Sequence, residues 1–178
     1  MSGAVRRGTA RATKVVAAVT LAAAVVLTGT GAEAALDSGT FNTTSAGATL
    51  GYDVKGTARI IRGGNRTVVT VVVRGLEPGA TYAAHLHNLP CGNTGPGGPG
   101  GGHYAHNPQG PPHPPNELWL SSTPDPMAGI TANRRGVGIG RGSAPWVARP
   151  EAQAVVIHVV PPGGSTAGGP KIACADLA

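Results

Sequence analysis

The sequence predicts an all-β domain, a Greek-key antiparallel β-barrel or sandwich of the immunoglobulin-like kind with long Gly/Pro-rich loops. The apolar clusters are short and rich in β-branched residues. Gly- and Pro-containing turns separate them at regular intervals, as in sandwiches and barrels. No stretch shows the sustained 3.6-residue periodicity of an amphipathic helix.

The strongest strand pattern is TVVTVVV at residues 67–73. Gly63-Gly64-Asn65 before it has turn chemistry, which makes residues 58–61 its hairpin partner. Glu77-Pro78-Gly79 predicts the next turn. Four further strands are predicted, at residues 49–54, 82–87, 136–140 and 154–160.

Residues 1–34 have the pattern of a secretory signal peptide. Four basic residues between positions 6 and 14 precede an apolar run over residues 15–27, and Ala32-Glu33-Ala34 places small residues at the spacing of a cleavage site. About 13 mostly apolar residues are too few to span a bilayer. We therefore expect a domain over residues 35–178, secreted to the extracellular space or the cell envelope, with no membrane span after cleavage.

Removal of the signal segment leaves about 144 residues, the size of one domain. It also lowers the formal net charge from +6 to about +3. The remaining arginines, among them Arg134, Arg135, Arg141 and Arg149, are scattered along the chain. This composition argues against a nucleic acid as partner.

The two cysteines, Cys91 and Cys174, both lie in the expected exported domain. Export to an oxidising compartment favours a disulfide between them over a pair of free thiols. The bond would close a loop of more than 80 residues. In the chain-entropy model such a cross-link is worth roughly 4 to 5 kcal/mol.

After Cys91 the composition changes sharply. Residues 92–115 contain eight Gly and seven Pro, a composition typical of a linker. Three of the six histidines of the chain, His103, His106 and His113, nevertheless lie inside this segment. We interpret it as a functional loop that metal ligation orders.

The other histidines fall on predicted strands. Side chains alternate across a strand, so His85 and His87 share one face while Leu86 points to the other. The same alternation places His158 opposite the core-facing Ile157. Each of these histidines also has a simpler interpretation. His85 and His87 could lie on a half-exposed polar edge, and His158 could be a structural residue held by a hydrogen bond. Together with the tethered loop they indicate a metal site for copper or zinc, since imidazole suits both ions.

Several motifs occur in a fixed order from about residue 40 to the C-terminus. They are GLEPG at 75–79, AHLH at 84–87, Cys91, GHY at 102–104, NELWL at 116–120, VVIH at 155–158 and KIAC at 171–174. This ordered set resembles the copper/zinc superoxide dismutases, in a secreted actinobacterial-type form.

The resemblance implies copper as cofactor, held by His85, His87 and His158, with His103 as the histidine that faces both metals in the family. Because His106 follows so closely, it competes with His103 for that position. The cysteine pair matches the intrasubunit disulfide of the family, and Lys171 stands where the family has an anion-guiding arginine. The implied activity is antioxidant: superoxide is disproportionated to dioxygen and hydrogen peroxide. Relatives are often homodimers.

The zinc site of the family is incomplete in this sequence. His106, His113 and Glu117 are available as zinc ligands, but no aspartate lies between Asp53 and Asp125. Glu117 has two other readings, a hydrogen-bond partner of the fourth copper histidine, as in copper-only relatives, or a solvent-facing strand residue. The alternative to an enzyme is a noncatalytic exported protein that binds and buffers copper.

Overall fold

The computed structural model describes residues 34–161 and 169–177, so the expected signal segment falls almost wholly outside it. This part of the chain forms eight strands, a five-residue helix α1 (Ser45–Thr49) and a 3-10 turn at Pro126–Ala128. No helix in it has the length and apolar character needed to cross a membrane. The strands are β1 (Ala35–Thr43), β2 (Lys55–Gly63), β3 (Arg66–Arg74), β4 (Thr81–His87), β5 (Ile130–Thr131), β6 (Gly138–Ala144), β7 (Ala154–Val159) and β8 (Lys171–Asp176).

All strand pairs are antiparallel, and the order is β5-β4-β7-β8-β1-β2-β3-β6. The neighbours β3–β6 and β4–β7 are not consecutive in sequence, so the chain crosses between them as in a Greek key. The result is a nearly closed barrel with an apolar interior. The all-β prediction is confirmed.

The β2–β3 hairpin is the one expected. Gly64 and Asn65 form its two-residue turn, and both have positive φ angles, +58° and +66°. Such a turn matches the twist of the flanking strands and favours Gly and Asn. Along β3, Val69 and Val71 are buried while Thr70 and Val72 are exposed. This period of two puts Val69, Val71 and Val73 into the barrel core.

The predicted strand at residues 49–54 is wrong. Helix α1 ends at Thr49, residues 50–51 form a turn, and residues 52–54 have no regular secondary structure. The helix N-cap Thr44 accepts a hydrogen bond from the amide of Gly47 at 3.0 Å. At the far end of the segment, the amide and carbonyl of Val54 both bond to the Thr43 hydroxyl, at 2.8 and 3.2 Å. A side chain satisfies the groups that would otherwise pair with a neighbouring strand.

The predicted strand at residues 136–140 is displaced. Gly136 and Val137 belong to a turn, in which their amides donate to the backbone and side-chain oxygens of Asn133. The strand begins at Gly138 and continues to Ala144. Strands β1, β5 and β8 have no counterpart in the sequence prediction, because they are polar, very short or poor in β-branched residues.

The expected disulfide joins Cys91 to Cys174 on β8, across a sequence separation of 83. It ties the start of the Gly/Pro-rich loop to the barrel. The loop then runs beside the end of β4, where the amides of Asn88 and Leu89 donate to the carbonyls of Gly102 and Gly100. Backbone contacts therefore hold a segment that has few apolar side chains.

We expect the Cys91→Ser/Cys174→Ser double variant to unfold more easily, because the unfolded chain regains the freedom that the cross-link removes. The free energy of unfolding should fall by about 2–5 kcal/mol. Urea denaturation followed by circular dichroism measures it, with Thr94→Ser in the same loop as control. A loss below about 1 kcal/mol would contradict a stabilising disulfide.

Candidate metal centre

Strands β4 and β7 bring three histidines together. In their register Ala83 lies opposite His158, and His85 lies opposite Val156. Leu86 and Ile157 point into the main core, so the histidines point to the other side, as the alternation predicts. His85, His87 and His158 are almost completely buried there, at 0%, 1% and 2% exposed.

The three rings form a compact cluster. One nitrogen of each lies within 4.8 Å of one nitrogen of each of the others. The His85 ring centroid lies 4.8 Å from that of His87 and 4.6 Å from that of His158. Across the parts of the chain that the structure covers, this is the one group of three or more potential metal ligands at such spacing.

Backbone carbonyls fix two of the rings. His87 Nδ1 lies 3.1 Å from the carbonyl oxygen of Gly101, and His158 Nδ1 lies 3.0 Å from that of Gly169. A carbonyl can only accept, so both Nδ1 atoms must carry the proton. The Nε2 atoms, which face each other at 3.2 Å, are then left with bare lone pairs. This contact is repulsive unless a cation or a proton lies between them.

His85 also lacks a partner for its ring in the described chain. Neither of its ring nitrogens has a hydrogen-bond partner among residues 34–161 and 169–177. A buried polar group without a partner costs about 1–3 kcal/mol and calls for an explanation. An ion that prefers imidazole ligands, such as copper or zinc, would give one nitrogen of each of the three rings a partner. The donor set therefore fits such a metal.

Electrostatics agree with this donor set. Burial holds the pKa values of His85 and His87 well below the usual histidine range, and the neighbouring imidazoles and Lys171 lower them further. Burial also lowers the pKa of His158 to about 4. All three rings are neutral at neutral pH, which is the form that binds metals.

His103 lies beside the three but is more exposed, at 21% of its side chain. Its ring centroid is 3.8 Å from that of His85, and it pairs with His87 through a backbone bridge. Its Nδ1 lies 3.0 Å from Glu117 Oε2, which also accepts from the Trp119 indole at 2.8 Å. Burial alone would raise the pKa of Glu117, but these two hydrogen bonds lower it. The carboxylate is thus an acceptor, and His103 Nδ1 is the donor.

The structure places His106 and His113 apart from this group. The His106 ring stacks on Trp146 with centroids 4.8 Å apart, and the His113 ring meets the edge of Trp119 at 5.4 Å. The Nδ1 atoms of both histidines are buried without a hydrogen-bond partner in the described part. Their rings pack against indoles.

Lys171 is not a free surface cation. Its ammonium donates to the carbonyls of Gly97, Pro99 and Gly101, the second at 2.9 Å. An ammonium has three protons, and all three are directed at the loop. The carbonyl of Gly101 is also the partner of His87. Lys171 therefore holds the part of the loop that orients a candidate ligand.

Sequence reasoning offered Glu117 as one possible hydrogen-bond partner of a copper histidine, but it missed the roles of Trp119 and of the glycine backbone. Trp119 fixes Glu117 and packs on His85 at 4.6 Å between centroids. Gly100 has a φ of +76°, and a Cβ there would lie 2.6 Å from the Val156 side chain and 3.1 Å from that of His87. Glycine therefore lets the loop approach His87. The clustering of glycines at 100–102 was the available signal.

Comparisons with known proteins bear on the fold. No family model matches the chain, and no curated protein matches it in sequence. Among solved structures, the Cu/Zn superoxide dismutase from Brucella abortus aligns with a TM-score of 0.50 at 19% identity, covering 81% of this chain and 100% of that one. The likeness shows a shared β-barrel fold. The three-histidine cluster stands on this barrel as a candidate metal site.

We expect Lys171→Met to loosen the loop, because a hydrogen bond from a charged group contributes about 1.5–3 kcal/mol. The amides of Gly100 and Gly101, bonded to Pro90 and Gly98, should exchange with solvent at least about tenfold faster. Hydrogen exchange read by NMR measures this. Lys55→Met, which removes an exposed ion pair with Asp53, is the control. Unchanged exchange in Lys171→Met would show that the loop is held by other contacts.

Proposed function

We propose that this protein is a copper-dependent superoxide dismutase with His85, His87 and His158 as copper ligands and His103 as the fourth. The observation that carries the proposal is the facing pair of unprotonated Nε2 atoms beside an unpartnered third imidazole. Three neutral nitrogens with no thiolate favour copper or zinc, and the fold is shared with a protein named as a Cu/Zn superoxide dismutase.

A bound copper supplies alternate acceptance and return of one electron, by which two superoxide ions and two protons become dioxygen and hydrogen peroxide. The chain supplies position and protons. Carbonyls at Gly101 and Gly169 keep two ligand nitrogens turned toward the site. His103, the most exposed of the four histidines, is suited to take up a proton from solvent and deliver it at Nε2.

Glu117 acts in this proposal through His103. Its carboxylate accepts the Nδ1 proton, which fixes the tautomer and leaves Nε2 as the atom facing the site. The Trp119 indole holds the carboxylate in place from the other side. This role, rather than zinc ligation, is supported by the ligand spacing, because among the described residues His106, His113 and Glu117 do not form a group of three potential metal ligands. We propose a copper-only arrangement.

Lys171 supplies positive charge close to the site, as the arginine of the family does, while its protons hold the loop. A lysine lacks the planar fork of an arginine, so it cannot hold the loop and present a second pair of donors to an anion. We therefore expect weaker guidance of superoxide. Residues 159–170 contain no charged residue, which also predicts weak long-range guidance, and most of them lie outside the described residues.

We also propose that residues 1–34 direct export and are removed. A disulfide is typical of extracellular proteins, and the Cys91–Cys174 bond fits an oxidising compartment outside the cytoplasm. An exported dismutase would meet superoxide in the extracellular space or the cell envelope.

The second candidate is an exported copper-binding protein without catalysis. It is favoured by one observation, the engagement of all three Lys171 protons by loop carbonyls. Such a protein would hold copper in the same three histidines but would not guide an anion to it. Copper stoichiometry and superoxide decay, measured together, separate the two functions.

We expect the purified chain to bind one copper ion and to accelerate superoxide decay, and His85→Ala to do neither. Loss of a ligand should weaken copper binding by more than about 100-fold, beyond the usual cost of losing an outer hydrogen-bond partner. Competition titration and stopped-flow decay of superoxide measure the two properties, with Thr57→Ala as control. Copper without catalysis would favour the binder, absence of copper uptake a structural protein, and one additional tightly held zinc would contradict the copper-only arrangement.

We expect Glu117→Gln to keep the fold but weaken copper binding about 10–100-fold, because the acceptor that fixes His103 loses its charge. Electron paramagnetic resonance of the copper-loaded variant should show altered nitrogen coupling. Gln109→Ala in the same loop is the control. An unchanged spectrum and an unchanged copper affinity would show that Glu117 has no role in copper binding.

A further inference from the structure

The outward side chains of β1, β2, β3 and β6 form a surface that the metal site does not use, here called the outer sheet face. Arg59, Arg66, Arg74 and Arg141 stand on it, and all four are exposed. None of them forms an ion pair with an acid in the described chain. No outward position of these four strands is acidic. The charged residues of the face are therefore all basic, and the one with an acidic partner is Lys55, which pairs with Asp53 just before β2.

Apolar side chains occupy the same face. In one cross-strand row Leu36, Ile61 and Val68 lie side by side, and in another Val72 lies beside Ile139. Leu36 is 65% exposed and Ile139 is 62% exposed. Because these exposed aliphatic side chains are neighbours on adjacent strands, they form a contiguous apolar patch rather than singly scattered hydrophobic residues.

The two kinds of side chain alternate in rows across the sheet. Strand register places Arg59 and Arg141 in one row on either side of Thr70. The two apolar rows flank this basic row, two residues away in each direction along the strands. Arg66 and Arg74, at the two ends of β3, place a further cation outside each apolar row. Cations and aliphatic groups are thus interleaved over one continuous face.

We propose that the outer sheet face docks on an anionic membrane surface. Anionic headgroups complement the arginines, and the aliphatic rows can enter the boundary between headgroups and acyl chains. Arginine suits this position because its stem packs on apolar surface while the guanidinium reaches phosphate. In the strand order, β8 and β1 separate the histidine-bearing β7 from β2 and β3. Docking therefore engages strands that do not carry the candidate ligands.

Two other occupants fit less well. A second copy using the same face would bring four arginines against four arginines, which repel. A soluble polyanion would satisfy the arginines but leave the aliphatic rows in water. The membrane is the occupant that uses both features.

Flotation with vesicles of phosphatidylglycerol or of phosphatidylcholine tests the proposal, using the full chain as a secreting host processes it. Its N-terminus, identified by mass spectrometry, is the same in every variant, so it cannot explain differences between them. We expect binding to phosphatidylglycerol alone. Arg59→Gln/Arg141→Gln should weaken it about 25-fold, at roughly fivefold for each cation. The matched control Arg134→Gln/Arg135→Gln removes two exposed charges outside the face and should change it by less than about twofold.

The aliphatic rows need their own comparison. Leu36→Ser/Ile139→Ser should weaken vesicle binding. The control Leu50→Ser/Leu89→Ser removes two exposed aliphatic side chains outside the face and should leave vesicle binding unchanged. If both double arginine variants lose vesicle binding equally, net charge rather than the outer sheet face explains the binding, and the proposal is overturned. Binding to heparin that equals vesicle binding, with no effect of the serine variants, would overturn it in favour of a polyanion. Absence of any lipid preference would also overturn it.

Discussion

Burial of three imidazoles against one another is the constraint on which the site depends. Two of them face each other through Nε2 atoms at 3.2 Å, and their Nδ1 protons are already donated to backbone carbonyls. Inside a barrel wall, where water cannot compensate, such a contact needs a positive centre. The strand pair β4–β7 brings the candidate ligands together, and a metal would relieve the repulsion that this arrangement creates.

The Gly/Pro-rich loop is ordered mainly by polar contacts, with Tyr104 as its one large side chain in the core. The disulfide at Cys91 fixes its start, and Lys171 gathers its carbonyls near the site. Gly101 connects Lys171 to His87, because its carbonyl accepts a hydrogen bond from both side chains. The segment that resembles a linker by composition is therefore the part of the chain that orients a candidate ligand.

Alternation along strands carried most of what sequence could predict. It put His85, His87 and His158 on one side of the sheet and Leu86 in the core, and the structure confirms both. It failed at residues 49–54, where the Thr43 hydroxyl pairs with the amide and the carbonyl of Val54 in place of a strand partner. The roles of Trp119, of the Gly101 carbonyl and of the three Lys171 contacts depend on how the loop folds back on β4, which no local pattern encodes.

The central claim is that these three imidazoles meet around one ion. A crystal structure of the copper-loaded protein, with anomalous scattering recorded at the copper edge, tests it most directly. The account predicts one peak enclosed by the Nε2 atoms of His87 and His158 and a ring nitrogen of His85, with β4 and β7 unmoved. A peak at His106 or His113 instead, or three rings that stay in contact while copper binds elsewhere, would contradict it.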